Sequence, residues 1–211
     1  MADGLESYGA IAFCEGVTRL GCWAHARRRF VDASKVLPAG KRGRAHEALA
    51  LISKLYAIER DCRELNDTER LAQRQSQSRT VIDELRRWLD QVLPTVPPTS
   101  VLGGALGYLH RQWPRLIPYL ARGDLPIDNN PAENAIRPFV VGRKAWLFSD
   151  TQAGARASAL IYSLVETTKA NGMEPYLWLR NALRALPTAT TVEHFEALLP
   201  WNLKAEHLIT A

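Results

Sequence analysis

Residues 45–59 read AHEALALISKLYAIE, and this stretch decides the class of fold. Ala45, Ala48, Leu49, Ile52, Leu55, Tyr56 and Glu59 recur with the 3.6-residue period of a helix that buries one face. Asn66-Asp67-Thr68 then reads as a turn and cap, and a second helix follows to about Leu93. It has Leu71 early and Val81, Ile82, Leu85, Trp88, Leu89 and Val92 late. Its middle, Gln73 to Arg79, is wholly polar and is expected to be exposed or loose. Residues 41–93 hold 11 basic and 9 acidic side chains, which predicts a charge-laced helical hairpin.

On the N-terminal side, Pro38 to Gly43 is a break, and Ala24 to Val36 reads as a helix. Ala26, Phe30, Ala33 and Leu37 share one side of it, and Arg27, Arg28 and Arg29 take the other. Gly9–Phe13 and Thr18–Trp23 are short, apolar and bounded by Gly, so both are expected to be strands or strand ends. On the C-terminal side, Pro94 to Thr99 is a connector. Ser100 to Leu120 is expected to be helical, with Pro114 and Pro118 kinking or ending it. The Gly103-Gly104-x-x-Gly107 pattern inside it suits close packing rather than phosphate binding. After Arg122 to Pro126, Asn130 is placed to cap a new helix, with Pro131 at its first position and Glu133 at its third. Thr151 to Ala170 predicts an amphipathic helix with Ala153, Ala157, Leu160, Ile161, Leu164, Val165 and Thr168 buried, ended by Asn171-Gly172. Short helices are expected over Glu174–Leu186 and Thr191–Leu199. The fold class is therefore mostly α with a small β part.

Composition bounds what such a chain does. With 211 residues, 46% hydrophobic and 23% charged, it is a globular protein, not a disordered one or a disulfide scaffold. No apolar run reaches the roughly 18–20 residues of a membrane helix. No basic-then-apolar leader opens the chain, so a reducing, cytoplasmic setting is the expectation for Cys14, Cys22 and Cys62. The net charge of +5, carried mostly by Arg, permits a nucleic-acid partner and equally a solvated basic surface.

Few residues are placed for chemistry. Cys22-x-x-His25, with Cys14 before it, lacks the second ligand pair of a structural zinc site, since His46, Cys62 and His110 stand alone. A buried Cys beside a surface His is the better reading. No Gly-x-Ser-x-Gly and no phosphate-cradling Gly loop is present. Three carboxylates remain: Asp3 before Gly4, Asp128 in a polar turn, and Glu133 on a helical first turn. Hard oxygen ligands brought from distant parts of a chain suit a divalent cation. A capping-box role for Glu133 and a turn role for Asp3 fit the same positions. Arg137 lies one turn beyond Glu133, to pair with it or hold a phosphate. Arg143, Lys144 and Arg156 follow, with Trp146 and Phe148 interleaved, which suits either a nucleic-acid strand or an aromatic core edge.

Several ordered motifs carry a resemblance. Asp3-Gly4-x-x-x-Tyr8, Gly21-Cys22-Trp23-Ala24-His25-Ala26-Arg27-Arg28-Arg29-Phe30, Asp128 through Pro138, Gly142 through Phe148, Ile161 through Thr167 and Leu198-Leu199-Pro200-Trp201 together resemble the C-terminal part of bacterial transposases of the insertion sequence 66 family. The resemblance implies a partial RNase H-like core of the DDE type, with a helical insertion and a small helical C-terminal domain. Its expected parts are 1–40 (strands and first helix), 41–122 (insertion), 123–172 (remaining core with the Glu helix) and 173–211. It implies hydrolysis of a phosphodiester at a transposon end and joining of the 3′-hydroxyl to target DNA, supported by two Mg2+ or Mn2+ ions. By position, Asp3 resembles the second Asp of the metal site and Glu133 its Glu. Arg137, Arg143, Lys144, Arg156, Arg27 and Arg28 are the expected DNA contacts, with transposon ends, target DNA and a second copy as partners. The first Asp of the pattern would precede Asp3, and Leu5 stands where an aromatic residue is common. The resemblance thus implies a C-terminal fragment, inactive alone. The alternative is a non-catalytic DNA-binding or regulatory remnant.

Overall fold

The computed structural model describes residues 16–38 and 40–203. Asp3, the first candidate strand (Gly9–Phe13) and Cys14 lie outside the described residues. The chain divides into two compact units, Met1–Pro131 and Ala132–Ala211.

In the first unit, α1 (Trp23–Lys35) packs against α2 (Arg44–Asp61) and α5 (Val101–Leu116), while α2 also packs against α4 (Arg79–Val92). The core follows the helical period. Trp23, Ala26 and Phe30 of α1 meet Ala48, Ile52 and Leu55 of α2, Leu85 and Leu89 of α4, and Leu106, Leu109 and Leu116 of α5. Burying each such Leu, Ile or Phe side chain contributes about 1.5–3 kcal/mol. The indole N–H of Trp23 donates to the Leu116 carbonyl at 3.0 Å, so the largest core residue leaves no polar atom unmet. The second candidate strand is corrected here. Residues 17–22 form no strand, and Trp23 opens α1. Gly21 N–H bonds the Arg115 carbonyl at 2.7 Å, and a Cβ at Gly21 would lie 3.1 Å from Leu116 Cδ2. The Gly boundary thus marks a close approach to α5 rather than a sheet. No strand occurs among the described residues.

The charged hairpin forms, but its second arm is broken. Asn66 caps α3 (Asp67–Gln73) by accepting from Glu69 N–H, and the Glu69 carboxylate accepts from Asn66 N–H. A π turn over Arg74–Ser78 then joins α3 to α4. The expectation that this polar stretch is exposed or loose fails at Arg74, which is 1% exposed. Its guanidinium donates from Nε and Nη2 to the Glu59 carboxylate at 2.8 and 2.6 Å, and to the carbonyls of Tyr119 and Leu125 at 3.1 and 2.8 Å. The segment after α5 needs donors for its carbonyls, and only a residue with five N–H groups meets them together with a carboxylate. A Cβ at Gly103 would strike the Pro97 carbonyl, whereas one at Gly104 meets nothing. Pro114 sits in the last turn of α5, which ends two residues later.

The second unit holds α6 (Asn130–Trp146, whose first two residues belong to the first unit), α7 (Gln152–Ala170), α8 (Pro175–Ala185) and α9 (Val192–Ala197). The last three start within one residue of the expected positions, and Thr151, Glu174 and Thr191 each accept an N–H of the first turn. Gly172, at φ 71°, ends α7. The predicted buried face of α7 is covered only toward its C-terminal end, where Thr168 is buried and Leu164 packs on the Met173 and Trp178 core. Leu160 and Ile161 are 62% and 54% exposed, and Thr168 alone in the helix is buried. The small core of this unit centres on Met173 and Trp178. Among the described residues, no helix is long and apolar enough to cross a membrane.

Candidate nucleic-acid interface

Each unit carries a basic surface. In the first, the α1 face opposite Trp23, Ala26 and Phe30 exposes Arg27 and Arg28. Tyr56 and Arg60, one turn apart on α2, join them around an open cleft of about 580 Å³ that also includes Ser53 and Asn130. Behind it Asp128 is buried and accepts three hydrogen bonds: from Tyr56 OH at 2.9 Å, from Asn130 N–H at 3.1 Å and from Asn130 Nδ2 at 2.9 Å. Burial, and then the adjacent Asp128 carboxylate, push the Tyr56 phenol well above its usual range, so it stays a neutral donor.

These contacts correct the cap reading. Asn130 is already the first helical residue of α6, and Asp128 supplies the oxygen that takes its N–H. The turn reading of Asp128 holds: its carboxylate accepts the backbone N–H two residues on, an Asx turn that leads into α6. Cys22 is buried, its thiol raised by burial, and Asn129 N–H points to its sulfur at 3.5 Å. Among the described residues no group of three or more His, Cys, Asp or Glu side chains is placed to hold a metal ion.

In the second unit, Glu133 is exposed on the first turn of α6, where the positive end of the helix dipole favours a carboxylate. Arg137, Arg143 and Lys144 are exposed along the same helix, and Arg156 is exposed on α7. Arg143 Nε also reaches the Leu147 carbonyl at 3.4 Å. Of the interleaved aromatics, Trp146 packs edge-on to Phe139 at 5.9 Å between ring centroids and lies 5.8 Å from Tyr162, while Phe148 is 74% exposed. Gly142 makes room for this cluster, because a Cβ there would lie 2.7 Å from the Trp146 ring. Sequence reasoning missed Arg60 altogether and took Tyr56 only as part of a buried face. The four-residue spacing of Tyr56 and Arg60 on a predicted helix was the available signal.

The molecule is thus a helical protein with exposed guanidinium and ammonium groups in both units. Residues 1–157 match the family described as "Transposase IS66 family", and residues 163–201 match "IS66 C-terminal element". The chain belongs to the IS66 transposase family. It is 32% identical over 213 residues to the uncharacterized protein y4jD of Sinorhizobium fredii, covering 98% of this chain and 41% of that protein. It is 31% identical over 211 residues to y4qI of the same organism, covering 97% of this chain and 39% of the relative. The chain spans about two fifths of the length of the curated relatives it matches. No solved structure matches it significantly.

Proposed function

We propose that the chain is part of a DDE-type DNA transposase and carries the Glu-bearing helix of its catalytic core. The observation that carries this reading is α6. It presents Glu133 at its exposed start and Arg137, Arg143 and Lys144 farther along, within the residues matched to the family. On this reading Glu133 and Asp3 contribute carboxylate oxygens to a Mg2+ or Mn2+ site, completed by residues outside those described. Arg137, Lys144, Arg143 and Arg156 lie along DNA and offset phosphate charge, as do Arg27 and Arg28. The reaction is hydrolysis of a phosphodiester at an element end, followed by strand transfer into target DNA, and it involves self-association.

The test is a nicking assay on DNA carrying the element ends, with Mg2+ or Mn2+. This chain alone is expected to give no cleavage. Supplying in trans the remaining three fifths of a relative such as y4jD is expected to restore cutting, and Glu133→Gln in this chain is expected to abolish it. Robust cutting by the chain alone refutes the need for outside carboxylates. Restored cutting that survives Glu133→Gln removes Glu133 from the site.

A further inference from the structure

We propose that the cleft between α1 and α2 seats a backbone phosphate of DNA, with Arg27, Arg28 and Arg60 as its cationic ligands and Asn130 as a neutral donor. The inference rests on the reading that the chain acts on DNA, and it assigns one site to that contact.

The first support is how the arginines of this unit are used. Arg70, Arg74, Arg86 and Arg122 each pair with a carboxylate. Arg27, Arg28 and Arg60 are not among those paired, and they differ from other arginines without a carboxylate, such as Arg87, in that all three border one cleft. Three guanidiniums around one space repel each other unless an anion enters, and the guanidinium fork matches phosphate oxygens two at a time.

The second support is the floor of the cleft. Asp128 would otherwise repel an incoming anion. Its oxygens instead accept from Tyr56 OH, Asn130 N–H and Asn130 Nδ2, and it is buried behind them. The Asn130 side chain, held by one of its amide hydrogens, keeps the other for a ligand. Among the described residues no carboxylate borders the cleft itself. The opening is wide rather than enclosed, as a phosphate within a continuous strand requires and a small free anion does not.

The test is fluorescence anisotropy of a labelled DNA duplex with the full chain across a salt series. Circular dichroism and thermal melts confirm that each variant folds. The wild-type chain is expected to bind with a steep salt dependence. Arg27→Gln/Arg28→Gln/Arg60→Gln is expected to weaken binding by roughly tenfold or more. It is also expected to lower the log–log salt slope by about 0.9 for every phosphate that is no longer neutralised. Should the triple variant fail to fold, Arg60→Gln alone is read in its place, and Arg60→Lys is expected to recover part of the loss. Arg79→Gln, whose side chain pairs with Asp83, is the control and is expected to bind as wild type. Unchanged affinity and slope in the cleft variants overturn this site and leave the DNA reading standing. Absence of any DNA binding by the wild-type chain overturns both. Inorganic phosphate protecting the folded chain in a melt as strongly as the duplex does overturns the DNA seat in favour of a free-anion site.

Discussion

Helices α1 and α7 have comparable amphipathic patterns and opposite outcomes. In α1 the apolar positions Trp23, Ala26, Phe30 and Ala33 are all buried, because α2 and α5 lie against them. In α7 the residues at the same kind of spacing, Leu160 and Ile161, remain more than half exposed, and within the second unit α7 packs chiefly on α8. A 3.6-residue period states which side chains of a helix want cover. It does not state whether the cover is present in the same stretch of chain.

The largest test of this contrast is core truncation. Phe30 is fully buried and packs edge-on to Trp88 at 6.2 Å between centroids, so Phe30→Ala is expected to destabilise the first unit by about 3–5 kcal/mol. Ile161→Ala removes a comparable apolar group from an exposed site, and is expected to change stability by no more than about 0.5 kcal/mol. Chemical denaturation of each variant measures both. An Ile161→Ala cost near that of Phe30→Ala would show that the α7 face is covered in solution and would dissolve the comparison.

A second test uses two phenols of the first unit. Burial raises both Tyr56 and Tyr119, reinforced by Asp128 at the first and by Glu59 at the second. In each the native state holds the proton more tightly than the unfolded chain does. The stability this contributes is therefore complete below the unfolded value near 10, and falls as pH rises beyond it. At pH 11 the two together are expected to cost about 2–3 kcal/mol. Ultraviolet titration should show these two of the 6 tyrosines ionising only as the first unit unfolds. Ordinary titration of all six would refute it.

What the sequence made legible follows from how local each signal is. The cap at Asn66, the helix starts near Thr151, Glu174 and Thr191, and the Gly172 stop depend on residues three or four apart, and they stand where the pattern places them. Arg74 was not legible. Its burial depends on carbonyls some 45–51 positions away, and no local pattern records that those carbonyls lack donors. Thr18–Trp23 misled for a similar reason. Its bounding Gly21 answers a close approach of Leu116 across the core and not a strand end. At the cleft, Arg27 and Arg28 were visible as a basic helix face, but Arg60 joins them only through the packing of α1 on α2. The Glu133 helix was legible from Pro131 and Glu133; it starts at Asn130 itself, one residue before the expected first helical position, and the polar turn at Asp128 takes the Asn130 N–H.

The smallest expected effect lies where α6 ends. Leu147 takes φ 63°, the left-handed region, and its N–H closes onto the Arg143 carbonyl at 2.7 Å. A side chain with a Cβ disfavours that conformation by about 1–2 kcal/mol, and Gly does not. Leu147 is 67% exposed, so removing its side chain forfeits little packing. Leu147→Gly is therefore expected to stabilise the second unit by about 1 kcal/mol, with part of the gain offset because Gly also frees the unfolded chain. A melt resolving the second unit, or hydrogen exchange along α6, measures it. Destabilisation instead would mean that the exposed Leu147 side chain makes a contact in solution, and that the bare face of this unit has a partner at the end of α6.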